Sequence, residues 1–148
     1  MEIKNNYKIW TFILIFLSWS SFFLGFYLDE NSAGAGTYKG DWVFLWPNLQ
    51  IFLDNEISVA INHENFLTNR PPLLYILHKL FNPFVENEIS YRKSVFIISL
   101  AAPIVFYLCL KQKFKNQDNL LLFLIASTIL LSPYYRTSSY WGLEENYG

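Results

Sequence analysis

The residues of this chain best placed to do chemistry are two acidic pairs, Asp29-Glu30 and Glu144-Glu145. Asp29-Glu30 follows directly on a long apolar run. A carboxylate beside a low-dielectric wall loses solvation, so its pKa is expected to rise toward a value useful to a general base. The same oxygens can hold a divalent cation, which prefers oxygen ligands. Acids also flank membrane spans with no role at all. The small-residue segment that follows, Ser32-Ala33-Gly34-Ala35-Gly36, brings the two readings level, because its glycines let backbone approach a ligand closely. Glu144-Glu145 follows Tyr134, Tyr135, Arg136, Tyr140 and Trp141. Arg136 has the planar fork that matches phosphate oxygens, and an ordinary interfacial arginine among aromatics is the plainer alternative.

Other chemistry is poorly represented. His63-Glu64 and His78 are the only histidine sites and show no His-x-x-x-His spacing, so no metal site is assigned. Cys109 is the single cysteine, which excludes a disulfide framework, and in an apolar helix it reads as a packing residue. The chain has no Gly-x-Gly-x-x-Gly, Walker A or Gly-x-Ser-x-Gly pattern, hence no nucleotide cradle and no nucleophile elbow.

The elements that must position these residues are membrane helices. Of the 148 residues, 53% are hydrophobic, 20% are aromatic and only 16% are charged. Soluble domains carry about 25% charged residues. The net charge of −1 gives no basic surface for nucleic acid. Disorder is excluded by the apolar content. The expected class is all-α, with about three spans in a single membrane domain covering 1–148.

The first span is read over 9–28, a length that matches a hydrocarbon core about 30 Å thick. Lys4 and Lys8 precede it, and Trp10 and Tyr27 sit near its ends as interface anchors. It is too long for a signal-peptide core of about 7–15 residues, so it is read as uncleaved. The second span is read over 94–110 with Pro103 as a tolerated kink, followed by a cytoplasmic loop over 111–119. The third is read over 120–135, broken at Ser132-Pro133, with a re-entrant helix as the alternative and an outer tail over 136–148. The three runs contain no ionisable residue, which places a transporter last among the functions considered.

The lysines around the first and second spans put the N-terminus in the cytoplasm and the 29–93 loop outside. Arg92-Lys93 disagrees, but the loop is near the length of about 60 residues beyond which charge stops steering topology. That loop is far too long to be a passive connection. Its Trp42–Phe52 stretch is aromatic and apolar, broken by Pro47. A helix over 71–82 is its best-marked element, because Pro71-Pro72 is pre-organised for a first turn. Leu73, Leu74, Leu77, Leu80 and Phe81 follow helical spacing, with His78 and Lys79 off the stripe. Such a helix either lies in the membrane interface or packs on the spans.

In this order the features resemble the N-terminal part of the GT-C superfamily of polytopic membrane glycosyltransferases. They are most similar to bacterial members related to protein O-mannosyltransferases and lipid A aminoarabinose transferases. The resemblance implies that Asp29, just after the first span, lies in an active site with Glu30 beside it. It implies that Pro71, Pro72, Leu73 and Tyr75 start a helix of the first outer loop, and that Glu144 or Glu145 is a loose equivalent of a second acidic site. It further implies a sugar donor on a polyprenyl phosphate, with Arg70, Lys79 or Arg136 facing the lipid phosphate, and a bacterial inner membrane. Family members are far longer and have many more spans. Three spans enclose too little to exclude water around a lipid-linked sugar, so the expectation is a truncated GT-C fold, inactive alone. The competing expectation is a small non-catalytic membrane protein, an assembly partner whose outer loop binds another protein.

Overall fold

The computed structural model describes residues 2–31, 37–68 and 71–143, and the side chains among them except those of residues 2–5 and 37–40. The described residues form helices and no strands. They are α1 (Glu2–Tyr27), α2 (Thr37–Asp54), α3 (Ile57–Ile61), α4 (Leu73–Phe81), α5 (Glu88–Ser99), α6 (Ala101–Lys113), α7 (Asn119–Ser127) and α8 (Pro133–Trp141), with a 3-10 turn over Thr128–Leu131.

Two helical stretches are long and apolar enough to cross a membrane, Asn6–Tyr27 and Glu88–Lys113. The chain is therefore a membrane protein by its helices. The second stretch begins six residues before the 94–110 run read from sequence, so Arg92 and Lys93 belong to the helix and not to the loop. It starts early because Asn87 caps it, its side chain accepting from Ser90 N at 3.0 Å. α5 passes into α6 at Leu100, close to Pro103. Proline has no N–H to offer the carbonyl four residues back. That carbonyl, on Ser99, instead accepts the Tyr135 hydroxyl from α8.

The third segment is bent by 68° between 119–131 and α8, at the Ser132-Pro133 break. It runs alongside α1 from end to end. Asp118, the N-cap of α7, accepts from Leu120 N at 2.7 Å and from Tyr7 Oη at 2.8 Å. Those bonds, Tyr7 foremost, hold the Asp118 carboxyl below its ordinary range. Midway, Trp19 Nε1 donates to Ser127 Oγ at 3.0 Å. At the far end Trp141 Nε1 donates to Glu30 O at 3.1 Å. Residues 136–141 are thus buried helix and not the start of a tail. The start of α1, Lys111–Lys115 and Asp118 share one end of the molecule. Asp29, α2–α4 and the close of α8 share the other.

Small polar residues inside the apolar runs return their hydroxyls to the preceding turn. Thr11, Ser18, Ser99 and Ser127 each donate to the carbonyl four residues back, at 2.7 to 2.9 Å. A hydroxyl satisfied in this way can face a neighbouring helix without a lost hydrogen bond.

The 29–93 segment is folded. Pro47 lies inside α2 and does not end it. Asn48 holds Leu67 through both its amide atoms, Nδ2 to Leu67 O at 3.2 Å and Leu67 N to Oδ1 at 3.3 Å. α4 is shorter than the 71–82 helix expected, with Pro72 at its cap instead of in its first turn. Its apolar stripe divides. Leu74 and Tyr75 are buried together with His78, while Leu73, Leu77, Leu80 and Phe81 are exposed. His78 therefore belongs to the packed face, a correction to the sequence reading. Its ring lies 4.8 Å from that of Tyr91.

Aromatic side chains fill the end of the bundle around Asp29. Phe22, Phe26, Phe96 and Tyr140 join α1, α5 and α8, with Phe26 stacked on Phe96 at 4.3 Å. Trp42, Trp46, Tyr91 and Trp141 join α2 to α5 and α8. The high aromatic content is thus largely a packing device, since each such ring buries about 150–250 Å².

Candidate functional site

The site begins with how α1 stops. Glu30 N donates to Gly25 O at 3.0 Å and Asp29 N to Phe26 O at 3.3 Å. This is a Schellman closure, which requires a left-handed residue, and Asp29 supplies it at φ 51°. A non-glycine residue pays about 1–2 kcal/mol for that conformation, least for Asp and Asn. The turn sends the two adjacent acids to different helices.

Asp29 turns to α5. Its Oδ1 accepts from Arg92 Nη2 at 2.6 Å, while its side chain stays 65% exposed. Oδ2 has no hydrogen-bond partner among the described residues. Arg92 is held through Nε, Nη2 and its planar face. Its Nε donates to Tyr140 O at 2.8 Å, and its guanidinium lies 3.8 Å over the Trp141 ring and 5.8 Å from that of Phe26. Such cation–π contacts favour a fixed, planar arginine.

Glu30 turns to α8 and forms a two-bond fork with Arg136. Nε donates to Oε1 at 2.8 Å and Nη2 to Oε2. The Arg136 side chain is 8% exposed and that of Glu30 28%. Arg136 Nη1 donates to Ser21 Oγ at 3.2 Å and Leu130 O at 3.1 Å, and Nη2 also to Ser21 O at 3.0 Å. All five guanidinium N–H groups are therefore engaged within the protein. Gly25 leaves the room for this. A Cβ there would lie 2.5 Å from Glu30 Oε2 and 2.6 Å from both Arg136 Nη2 and Tyr140 Oη.

The structure thus brings together Asp29, Glu30 and Arg136 of the residues singled out from sequence, and adds Arg92, Gly25 and Tyr140. It gives Arg136 a task other than phosphate binding, since no donor is left over. Lys79 is likewise committed. Its ammonium donates to Phe52 O, Leu53 O and Asn55 O at 2.7, 3.3 and 3.0 Å, capping the end of α2. Tyr75 is buried against Phe52 at 5.4 Å and Phe66 at 5.6 Å, away from the acids. Arg70, Glu144, Glu145 and the glycine segment 32–36 lie outside the described residues.

The low-dielectric wall expected around Asp29 is not formed by protein. The carboxylate is exposed and faces a cation. Among the described residues no three His, Cys, Asp or Glu side chains gather as for a metal ion. A divalent cation at Asp29 and Glu30 would have to compete with an arginine for each carboxylate. Arg92 was legible only as a charge at odds with the topology. The signal for its role was that it flanks the same membrane end as the two acids.

Compared with family models, curated proteins and solved structures, the chain matches none.

Proposed function

We propose that this chain forms the N-terminal part of an integral-membrane glycosyltransferase of GT-C type, in which Asp29 serves the acceptor. The donor is a sugar on a polyprenyl phosphate, and transfer takes place on the extracytoplasmic side of a bacterial inner membrane, with the N-terminus cytoplasmic. The observation that carries the reading is the exposed Asp29 carboxylate, fixed through Oδ1 by Arg92 with Oδ2 open to solvent. An oriented carboxylate with a free oxygen can accept an acceptor hydroxyl's proton or align that hydroxyl for attack. Glu30 is the supporting acid, since both its oxygens are held by Arg136. The donor phosphate meets the Arg92 Nη1 edge, which has no hydrogen-bond partner among the described residues; Arg70, the other cation expected there, lies outside them.

The 148-residue piece alone is expected to be inactive, so the test is transfer of labelled sugar from polyprenyl-phosphate donors in membranes of cells expressing the longer polytopic protein of which this chain would be the N-terminal part. Asp29→Asn is expected to reduce transfer by about 10²–10⁴-fold, the usual span for a general base, at unchanged protein level. Glu30→Gln is expected to lower the level of folded protein instead. Absence of transfer from every such donor, or full transfer by Asp29→Asn, overturns the reading.

A second reading has its own observation. Each acid is paired with an arginine on another helix, as in a latch that needs no substrate. In that case the chain is a non-catalytic membrane partner, and Asp29→Asn alters its assembly with another protein and nothing else.

A further inference from the structure

We propose that α4 inserts its exposed arc, Leu73, Leu77, Leu80 and Phe81, together with Phe84 just beyond it, into the bilayer boundary at the Asp29 end of the molecule. Successive residues of a helix are about 100° apart. Leu73, Leu77, Leu80 and Phe81 therefore share one side, and Leu74, Tyr75 and His78 the side packed on the protein. The exposed arc is wholly apolar, and its members stand between 41% and 76% open.

Two observations name lipid as the occupant. The first is depth. Asn82, which ends α4, donates from Nδ2 to Ser94 Oγ at 2.8 Å and lies 3.0 Å from His78 Nδ1, and its Oδ1 accepts from Phe84 N at 3.0 Å. Ser94 is the first residue of the apolar run that follows Arg92-Lys93. The end of α4 is thus tied to the level at which the second span leaves polar surroundings. Nine residues at about 1.5 Å each make α4 only about 14 Å long, so the whole helix stays within the interfacial zone.

The second observation is chemistry. Protein interfaces concentrate their energy in Trp, Tyr and Arg, with leucine under-represented. This arc is leucine and phenylalanine with no hydrogen-bonding group. The nearest cation on the helix, Lys79, spends its three donors on the end of α2. The arc therefore meets the acyl and glycerol region and has no preference for anionic headgroups. The inference stands apart from sugar transfer, because it rests only on α4 and the second span.

The experiment uses the full chain with Cys109→Ser, reconstituted in phosphatidylcholine vesicles. Single nitroxides are placed at Leu77→Cys and Leu80→Cys, with Ile104→Cys on the exposed face of the second span as the lipid reference and Lys115→Cys as the water reference. Accessibility is read by power saturation with oxygen and with a nickel chelate. The oxygen-to-nickel ratio at 77 and 80 is expected to stand several-fold above that at 115 and below that at 104, which lies about 15 Å deeper along the span. Adding anionic lipid is expected to leave it unchanged. Asn82→Ala should release the tie, raising nickel access at 80 and not at 104. Nickel access at 77 and 80 equal to that at 115 would place the arc in water. Exclusion of both reagents would place it under protein. Either overturns the proposal.

Discussion

The Glu30–Arg136 pair can be tested by a thermodynamic cycle. Removing one partner of a buried ion pair costs about 3–5 kcal/mol, because the other charge is left uncompensated. The two halves are unequal here. Arg136→Ala strands a carboxylate whose side chain is 28% exposed, which water can reach, so the low end of that range applies to the charge. It also removes the donors that satisfy Ser21 O and Leu130 O, at about 1 kcal/mol each. The expected total is about 5 kcal/mol. Glu30→Gln strands a guanidinium that is 8% exposed but retains three of its five bonds, and about 3 kcal/mol is expected. The double variant should cost clearly less than the sum, with a coupling of about 2 kcal/mol. Arg136→Lys keeps the charge and loses the fork, so it should recover only part of the loss. The assay is equilibrium unfolding in mixed micelles, followed by tryptophan fluorescence. Additive single effects, or a loss below about 1 kcal/mol for Arg136→Ala, would refute the geometry, because those are the values for a solvated surface pair.

Three further outcomes follow from individual contacts. Gly25→Ala is expected to destabilise, although Ala for Gly normally favours a helix by about 1 kcal/mol, because its methyl meets Glu30 Oε2, Arg136 Nη2 and Tyr140 Oη; unfolding in the same micelles reads the sign. Burial pushes the His78 pKa down from 6.5 to about 4, so the unfolded chain binds the proton more readily. The contribution is complete above pH 6.5 and falls as pH drops toward 4, by about 3 kcal/mol in all at about 1.4 kcal/mol per pH unit. His78→Gln should flatten that part of the stability-versus-pH curve, and a curve identical to the parent's would contradict it. Lys79→Met removes the donor to two carbonyls of α2 and to that of Asn55 just past it, and should cost about 1–2 kcal/mol, with faster amide exchange confined to residues 52–55.

The sequence announced the helical class because long apolar runs have few folds open to them in lipid. It announced the break at Ser132-Pro133, since proline there removes a donor. It did not show that Arg92 and Arg136 are extensions of the spans. Run-based reading ends a span at its first charge, whereas a helix continues until a cap stops it. Asn87 and Gly142 are those caps, and they lie several residues beyond the charges. The pairing of Asp29 with Arg92, 63 residues away, has no local pattern at all. The stripe of α4 was visible, but its division into packed and open arcs was not. Period alone gives the amphipathic axis, and only the position of α2 and α5 decides which edge is covered.

The bend in the third segment then acquires a physical reason. α8 reads Pro-Tyr-Tyr-Arg-Thr-Ser-Ser-Tyr-Trp, a sequence with hydroxyls and a cation that no lipid-facing helix would tolerate. A straight continuation of α7 would leave part of it against hydrocarbon. The 68° turn instead carries it into the space between α1, α2 and α5, where residues 136–141 are all buried. Once there, its polar groups serve the end of α1. Arg136 forks Glu30, Tyr140 Oη donates to Phe22 O at 2.7 Å, and Trp141 holds Glu30 O while its ring carries Arg92. The same helix therefore locks Glu30 directly and aims Asp29 through Arg92. A chain with only membrane anchoring to achieve could have closed this end with leucines. That it instead spends a broken helix and two arginines on one left-handed turn is the strongest physical argument for looking at Asp29 first.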